Sequence, residues 1–418
     1  MQLQTILNRV QRHRSFVYRN IRWVESDRSS LALEVDIEPR ANGRAVCSGC
    51  HRRGPGYDVL APRRFEFVPL WGILLFFVYS MRRVDCGSCG VTVEDVPWGE
   101  GKSSLTTAYR WFLARWAKRL SWKEVAETFH TSWDNVFRAV QMAVEWGRRH
   151  MDLTGILSIG VDEILWQRGH RYLTVVYQID KNCRRLLWVG QDRTTDTLLR
   201  FFTWFGEPRA ANLKFICSDM WKPYLQVIAK AASQAIHVLD RFHIMSMLNK
   251  AIDEVRATEA RKMKNDGYEP ILKHSRWCLL KRPENLTTKQ EAKLSDLVQY
   301  NLASVRAYLL KEDFQGFWEY VSASWAGKFL DRWTARVMHS RLDPMKKVAG
   351  TLRRHRELIL NWFRAKGAIS AGIVEGLNAN AKLTMRKARG YRSSKVAEIA
   401  LYHALGDLPA PLAAHRFC

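Results

Sequence analysis

Ile373-Val374-Glu375-Gly376-Leu377-Asn378 runs directly into Lys382, Arg386, Lys387, Arg389, Gly390, Tyr391 and Arg392. Read as a helix, Glu375, Asn378, Lys382, Arg386 and Arg389 recur at steps of three and four and share one face. That face has a carboxylate at one end and a cationic track below it. An acid able to hold a metal ion beside side chains able to hold phosphates suits chemistry on a nucleic-acid backbone. The alternative is an ordinary solvated face with one acid among many bases. Two further acids have a related setting. Asp162 closes the apolar run 156–162 and Asp219 closes the run 213–219, so each is expected to end a buried strand. Adjacent strands ending this way bring two carboxylates together, and Glu375 from a later helix completes a cluster. Three clustered acids repel one another unless divalent cations neutralise them, and oxygen donors suit Mg²⁺ or Mn²⁺. Any one such Asp is as readily a turn cap.

The other reactive set is sulfur. Cys47-Ser48-Gly49-Cys50 and Cys86-Gly87-Ser88-Cys89 are two matched pairs, each on a turn with a glycine. Two such knuckles form a tetrahedral four-sulfur zinc site of the zinc-ribbon kind, with a structural role. The stretch between them is long for a ribbon, so a β-hairpin must bring them together. His51 follows Cys50 and is either a substitute ligand or a plain polar side chain. Paired cysteines of this kind fit a reducing cytoplasm better than a disulfide framework.

Several elements must position these groups. Residues 1–100 carry short β-like runs around the cysteines and form a first, zinc-ribbon domain. The apolar run 65–81 holds Glu66, Pro69 and Gly72 and is too short for a membrane span, so it reads as buried strands. Residues 101–150 turn helical. Ser121 with Glu124 has the capping-box spacing, and Ser132 caps a second helix. Val125, Ala126, Phe129, Val136 and Val140 supply the contact between the two. This is helix-turn-helix grammar, with Ser132, Asn135 and Arg138 near the start of a DNA-reading helix, although His130 stands where a turn glycine is common. A plain helical hairpin is the other reading. Residues 151–243 alternate three antiparallel strands with later helix and strand, the order of a ribonuclease-H-like sheet. Residues 244–366 are helical and charged, and 367–418 hold the Glu375 helix.

The 418 residues carry a net charge of +25, which attracts a polyanion, with nucleic acid ahead of a membrane surface because the bases are spread along the whole chain. The start has no long apolar stretch of the signal-peptide kind.

In this order the motifs resemble the insertion-sequence transposases of the ISL3 family. The resemblance is carried by Glu375-Gly376-Leu377-Asn378 with Lys382, Arg386 and Gly390-Tyr391-Arg392, and by Asp162-Glu163. Ser218-Asp219-Met220-Trp221-Lys222-Pro223-Tyr224 and Asp240-Arg241-Phe242-His243 belong to it as well. It implies a DDE transposase with Asp162, Asp219 and Glu375 as its Mg²⁺-binding triad, and supporting roles for Asp240, His243 and Asn378. It also implies that 244–366 is an all-helical insertion splitting a ribonuclease-H-like catalytic domain. Ala379-Asn380-Ala381 is less basic and less apolar than the family tends to show. The activity so implied is binding of terminal inverted repeats, with Arg389, Arg392, Lys382 and Arg386 among the DNA contacts. Metal-dependent cleavage and strand transfer into target DNA would follow, by a dimer or larger assembly in a bacterial or archaeal cytoplasm, at the nucleoid. The rivals are a non-catalytic DNA-binding regulator and a structure-specific nuclease.

Overall fold

The computed structural model describes residues 2–26, 29–167, 169, 171–268, 271–365, 371–388 and 390–412. Compactness divides the chain into one unit of Met1–Asp152 with Thr384–Cys418 and a second of Leu153–Leu383. The sequence reading placed 367–418 at the end of the catalytic domain, whereas packing groups Thr384 onward with the N-terminal unit.

In the first unit, helix α1 (Leu3–Val10) precedes β1 (Phe16–Ser26), β2 (Ser29–Pro39), the short β3 (Ala45–Val46) and β4 (Arg53–Gly54), then β5 (Gly56–Leu70), β6 (Ile73–Cys86) and β7 (Gly90–Val93). The main sheet runs β1-β2-β6-β5 with β7 also on β6, while β3 and β4 pair with each other. The apolar run 65–81 is the heart of the β5–β6 hairpin, where Phe65, Phe67, Phe77 and Tyr79 are buried. Trp98 is buried against Phe16 and Tyr79, with ring centroids 4.8 and 5.3 Å away in edge-on geometry.

Three helices follow: α2 (Thr107–Trp116), α3 (Trp122–Thr128) and α4 (Trp133–Arg149). Each begins where a hydroxyl can accept an orphan backbone N–H, at Thr106, Ser121 and Ser132. The Ser121–Glu124 capping box is complete in both directions. His130, in the turn between α3 and α4, has φ of +51° and fills the left-handed position a glycine would take.

The second unit opens with β8 (Ser158–Gln167), β9 (Arg171–Asp180) and β10 (Cys183–Gln191), then α5 (Thr195–Phe205), α6 (Glu207–Ala211), β11 (Phe215–Ser218), α7 (Lys222–Ala231) and β12 (Ile236–Leu239). The sheet order is β10-β9-β8-β11-β12, with antiparallel pairing among the first three strands and parallel pairing of β8 with β11 and β11 with β12. One expectation needs correction. Asp162 does not end its strand, because residues 163–167 continue its pairing with β9, with a register shift between Leu165 and Gln167. Its partner β11, however, pairs with β8 only as far as Gly160. Asp162 therefore lies just past the end of the parallel pairing, at the level where Asp219 leaves β11.

Between β12 and the Glu375 helix the chain is helical, through α8 (Arg241–Asn265), α9 (Arg276–Leu280), α10 (Thr288–Val298), α11 (Ala303–Gln315), α12 (Ala323–Met338), α13 (Asp343–Arg354) and α14 (Arg356–Arg364). These helices share a core built around Leu248, Ile252, Phe314, Phe317, Trp333, Leu352 and Leu360, which also takes in Leu239 of β12. Pro344 stands in the first turn of α13, just after the break that follows α12, as a proline in a first turn can. Asn361 of α14 donates to the backbone carbonyl of His237 in β12 (2.8 Å), which ties the helical segment to the sheet. Helix α15 (Ala371–Lys387) carries Glu375, and α16 (Ser394–Leu405) packs on α4 through the Arg148–Glu398 ion pair of 2.9 Å.

Gly160 on β8 is where α15 rests on the sheet: a Cβ there would lie 2.5 Å from Val374 Cγ2. Gly160→Ala is expected to cost about 1–3 kcal/mol by overpacking. Val374→Ala in the same chain should recover part of that loss in a denaturant titration, and strict additivity of the two changes would show that the contact is not there.

Candidate active site

Alternation along β8 sends neighbouring side chains to opposite faces of the sheet. Gly160 and Asp162 face α15, whereas Ile159 and Val161 enter the core beneath α5 and α7. Asp162 accepts hydrogen bonds from Asn378 Nδ2 and from the backbone N–H of Glu163. The Oδ1 of Asn378 accepts in turn from the Tyr177 hydroxyl of β9 at 2.8 Å. Asn378 is buried in the same stripe of α15 as Val374 and Ala381, while Glu375, Lys382 and Arg386 are exposed. The single face expected from sequence is thus two: a buried stripe holding Asn378, and an exposed one holding Glu375 and the cations.

Asp219 follows β11 and accepts from the backbone N–H of Trp221 on Oδ1 and from Arg193 Nη2 on Oδ2, both at 3.0 Å. Asp240 caps α8, accepting from Phe242 N at 2.8 Å, and its other oxygen is 3.9 Å from His243 Nε2, an ion-pair contact too long for a hydrogen bond.

These acids feel one another. Burial raises the Asp162 carboxyl, and the charge of Asp219 adds to the rise, against the Glu163 N–H, His243 and Asn378. Burial likewise pushes Asp240 up to about 6, with Phe242 N–H and His243 opposing and the charges of Asp162 and Glu375 adding to the rise. Structure therefore gathers Asp162, Asp219, Asp240, His243 and Glu375 into one electrostatic neighbourhood. It does not close them around a point: among the described residues, the four cysteines alone form a group of three or more candidate ligands with donor atoms all within 4.8 Å.

Sequence reasoning missed Arg193 and Tyr177 and gave Glu163 no role of its own. Glu163 is nearly buried, and burial followed by the charge of Asp219 raises it to about 8. Arg193 Nε lies 2.7 Å from its Oε1. The adjacent acids Asp162 and Glu163 were the available signal, since a strand must send them to opposite faces with separate partners.

In the first unit, the four sulfurs of Cys47, Cys50, Cys86 and Cys89 converge, with Cys50 and Cys86 3.5 Å apart. The residue after each pair is left-handed, His51 at φ +57° and Gly90 at φ +71°, so the two turns are built alike. His51 points away and pairs with Asp95 at 3.0 Å, which leaves the cluster all-sulfur. A hydrogen bond with Thr92 lowers the Cys47 thiol to about 6, and Cys50 and Cys47 push Cys89 up to about 12. Four thiols this close can hold a metal ion.

Of the expected DNA contacts, Ser132 is engaged in its cap and Asn135 donates to Thr131 Oγ1 at 3.0 Å. Arg138 is exposed and pairs with Asp134. Lys382, Arg386 and Arg392 are exposed, and Arg389 lies outside the described residues. Among the described residues no helix is long and apolar enough to cross a membrane.

The family model for ISL3-type DDE transposases matches residues 159–400. The chain belongs to this transposase family. Among its relatives, the transposase of insertion sequence element IS1557 from Mycobacterium tuberculosis is 30% identical over 402 residues, covering 90% of this chain and 89% of the relative. The transposase of IS1001 from Bordetella parapertussis is 27% identical over 378 residues, 90% and 91% of the two chains.

Replacing Asn378 by Ala leaves the Tyr177 hydroxyl and the Asp162 carboxylate without their shared partner. The expected destabilisation is about 1–3 kcal/mol. Tyr177→Phe should lose less, and the double variant should lose less than the sum in a denaturant titration. Simple additivity would mean that the three groups do not act as a unit.

Proposed function

We propose that this transposase binds the terminal inverted repeats of an insertion sequence, cleaves the phosphodiesters at its ends and joins the freed 3′-hydroxyls to target DNA. What supports the reading is that Asp162, Asp219 and Asp240 share one electrostatic neighbourhood, which Glu375 reaches through Asp240, within the matched family region. The strand order β10-β9-β8-β11-β12, with its antiparallel first half and parallel second half, supports a ribonuclease-H-like catalytic domain, and the helices 244–366 would be its insertion. Paired, capped helices α3 and α4 support a helix-turn-helix reader in which Arg138, held only by a surface ion pair, is free to exchange Asp134 for a phosphate.

The oxygen donors fit Mg²⁺ or Mn²⁺: buried carboxylates that raise one another's affinity for protons are stabilised by a hard cation in place of those protons. Bound there, divalent cations supply charge stabilisation at the attacking and leaving oxygens. The protein's own contributions are geometric. Asn378 and the Glu163 N–H fix the Asp162 carboxylate, the Trp221 N–H fixes that of Asp219, and Asp240 holds the start of α8 so that His243 faces the same acids. Lys382, Arg386, Arg389 and Arg392 would track the DNA backbone. Two element ends must be held at once, which calls for a dimer or larger assembly on DNA at the nucleoid. In the cysteine cluster, Zn²⁺ would lock the two turns together, a structural role.

Purified protein incubated with labelled DNA bearing the element ends and Mg²⁺ should nick at the repeat boundary and yield joined products. EDTA should abolish both, and Asp162→Ala, Asp219→Ala and Glu375→Ala should each reduce them by at least about a thousandfold while leaving repeat binding intact. Full activity in any of the three would sink the assignment of that acid. A metal assay on the same preparation should find about one zinc per chain, lost in Cys50→Ser or Cys86→Ser; a zinc-free, equally stable wild type would rule out the zinc reading.

A further inference from the structure

Arg193 belongs to no motif and comes from neither of the strands that carry the acids, yet it lies between two of them. It sits two residues past the end of β10. The backbone before it turns through Asp192 at φ +69°, and the Asp192 carbonyl accepts from Thr174 Oγ1 at 2.7 Å. After it, Thr194 caps α5. Both sides of Arg193 are thus anchored, and its side chain alone is left to choose a place. That side chain reaches over β9, with Nε 2.7 Å from Glu163 Oε1 and Nη2 3.0 Å from Asp219 Oδ2. Its guanidinium rests on the Trp221 ring at 4.5 Å. The contact with Glu163 is close but misaligned, so neither Glu163 Oε1 nor Arg193 Nε has a hydrogen-bond partner. A buried guanidinium normally uses its rigid fork fully. Here one prong is satisfied, on Asp219, and the other, toward Glu163, is not.

Exposure separates the partners: 31% for the Arg193 side chain against 9% for Glu163 and 12% for Asp219. The cation can reach solvent by rotating its own side chain, whereas the acids cannot follow without leaving the fold. A monovalent cation that can move, set on two acids that cannot, is a counter-ion that another cation can replace.

We propose that Arg193 is a built-in placeholder for the divalent cation at Asp219: its guanidinium neutralises Asp219 in the metal-free protein and is displaced when the cation binds. The inference rests on the assignment of Asp219 as a metal ligand and makes Arg193 a positioning residue that sets cation affinity. A guanidinium and a dication beside the same carboxylate repel, so metal binding must be weaker while Arg193 stays. Its removal has a distinctive sign. A residue that merely supports the fold weakens binding when lost; a competitor strengthens it.

The test is Mn²⁺ affinity of the full-length chain without DNA, read from the electron paramagnetic resonance signal of free Mn²⁺, with thermal unfolding followed in EDTA and in Mn²⁺. Arg193→Gln is expected to bind Mn²⁺ at least about fivefold more tightly than wild type. It should also unfold at least about 2 °C lower in EDTA and gain more from Mn²⁺ than wild type does. Arg193→Lys, which keeps the charge without the fork, should fall between the two and decides the question should Arg193→Gln not fold. Unchanged or weaker Mn²⁺ binding in the folded variants overturns the proposal. Asp219→Asn separates the two levels: if it binds Mn²⁺ as wild type does, the metal assignment itself fails. If it loses Mn²⁺ while the Arg193 variants match wild type, the role of Arg193 alone is wrong.

Discussion

The bond from Asn378 to Asp162 is the contact on which the second unit depends, because it joins parts of the chain that no local structure brings together. Asp162 belongs to the first strand of the sheet, and Asn378 arrives only after ten intervening α-helices among the described residues. The amide is suited to the task. It donates to the carboxylate and accepts from the Tyr177 hydroxyl, so one buried side chain satisfies two buried polar groups. Gly160 permits the approach by leaving room for Val374, so the missing side chain on the strand and the amide on the helix are two halves of one docking arrangement. Glu375 is placed by that arrangement and makes no part of it. Its exposure leaves it open to ligands while its neighbours hold the helix.

The intervening helices are folded around an apolar core that reaches Leu239 of β12, and this explains how so long a segment can stand between β12 and α15. A structureless loop of that length would be costly to close and would leave α15 unanchored. A folded segment instead starts at Asp240, directly after β12, and is tied back to the same strand through Asn361. The acids Asp219 and Asp240 flank the sheet at the points where α7 and α8 leave it, so the helical segment begins within the acidic neighbourhood.

Much of this was legible in the sequence, for physical reasons that differ between elements. The sulfur knuckles were readable because two glycine-containing turns with paired thiols have few other uses. The caps at Ser121 and Ser132 were readable because the donors they satisfy lie within three residues. The strand containing Asp162 was cut short: an acid after an apolar run reads as a boundary, yet pairing with β9 carries the strand on to Gln167. Likewise the shared face of Glu375 and Asn378 was a correct spacing with an incomplete meaning, since burial depends on the sheet beneath and not on the helix itself. Arg193 and Tyr177 were out of reach. Neither has a local pattern, and their partners lie on other strands or on a helix about two hundred residues away.

The docking of α15 on β8 also sets a schedule. A chain leaving the ribosome presents Asp162, Asp219 and the whole helical segment before Asn378 exists, so Tyr177 and Asp162 wait without their partner until the last part of the polypeptide appears. A chain that has passed Asp219 but not reached Glu375 holds two of the three acids. An incomplete product of synthesis or proteolysis that ends before Asn378 therefore lacks the amide that docks α15 on β8.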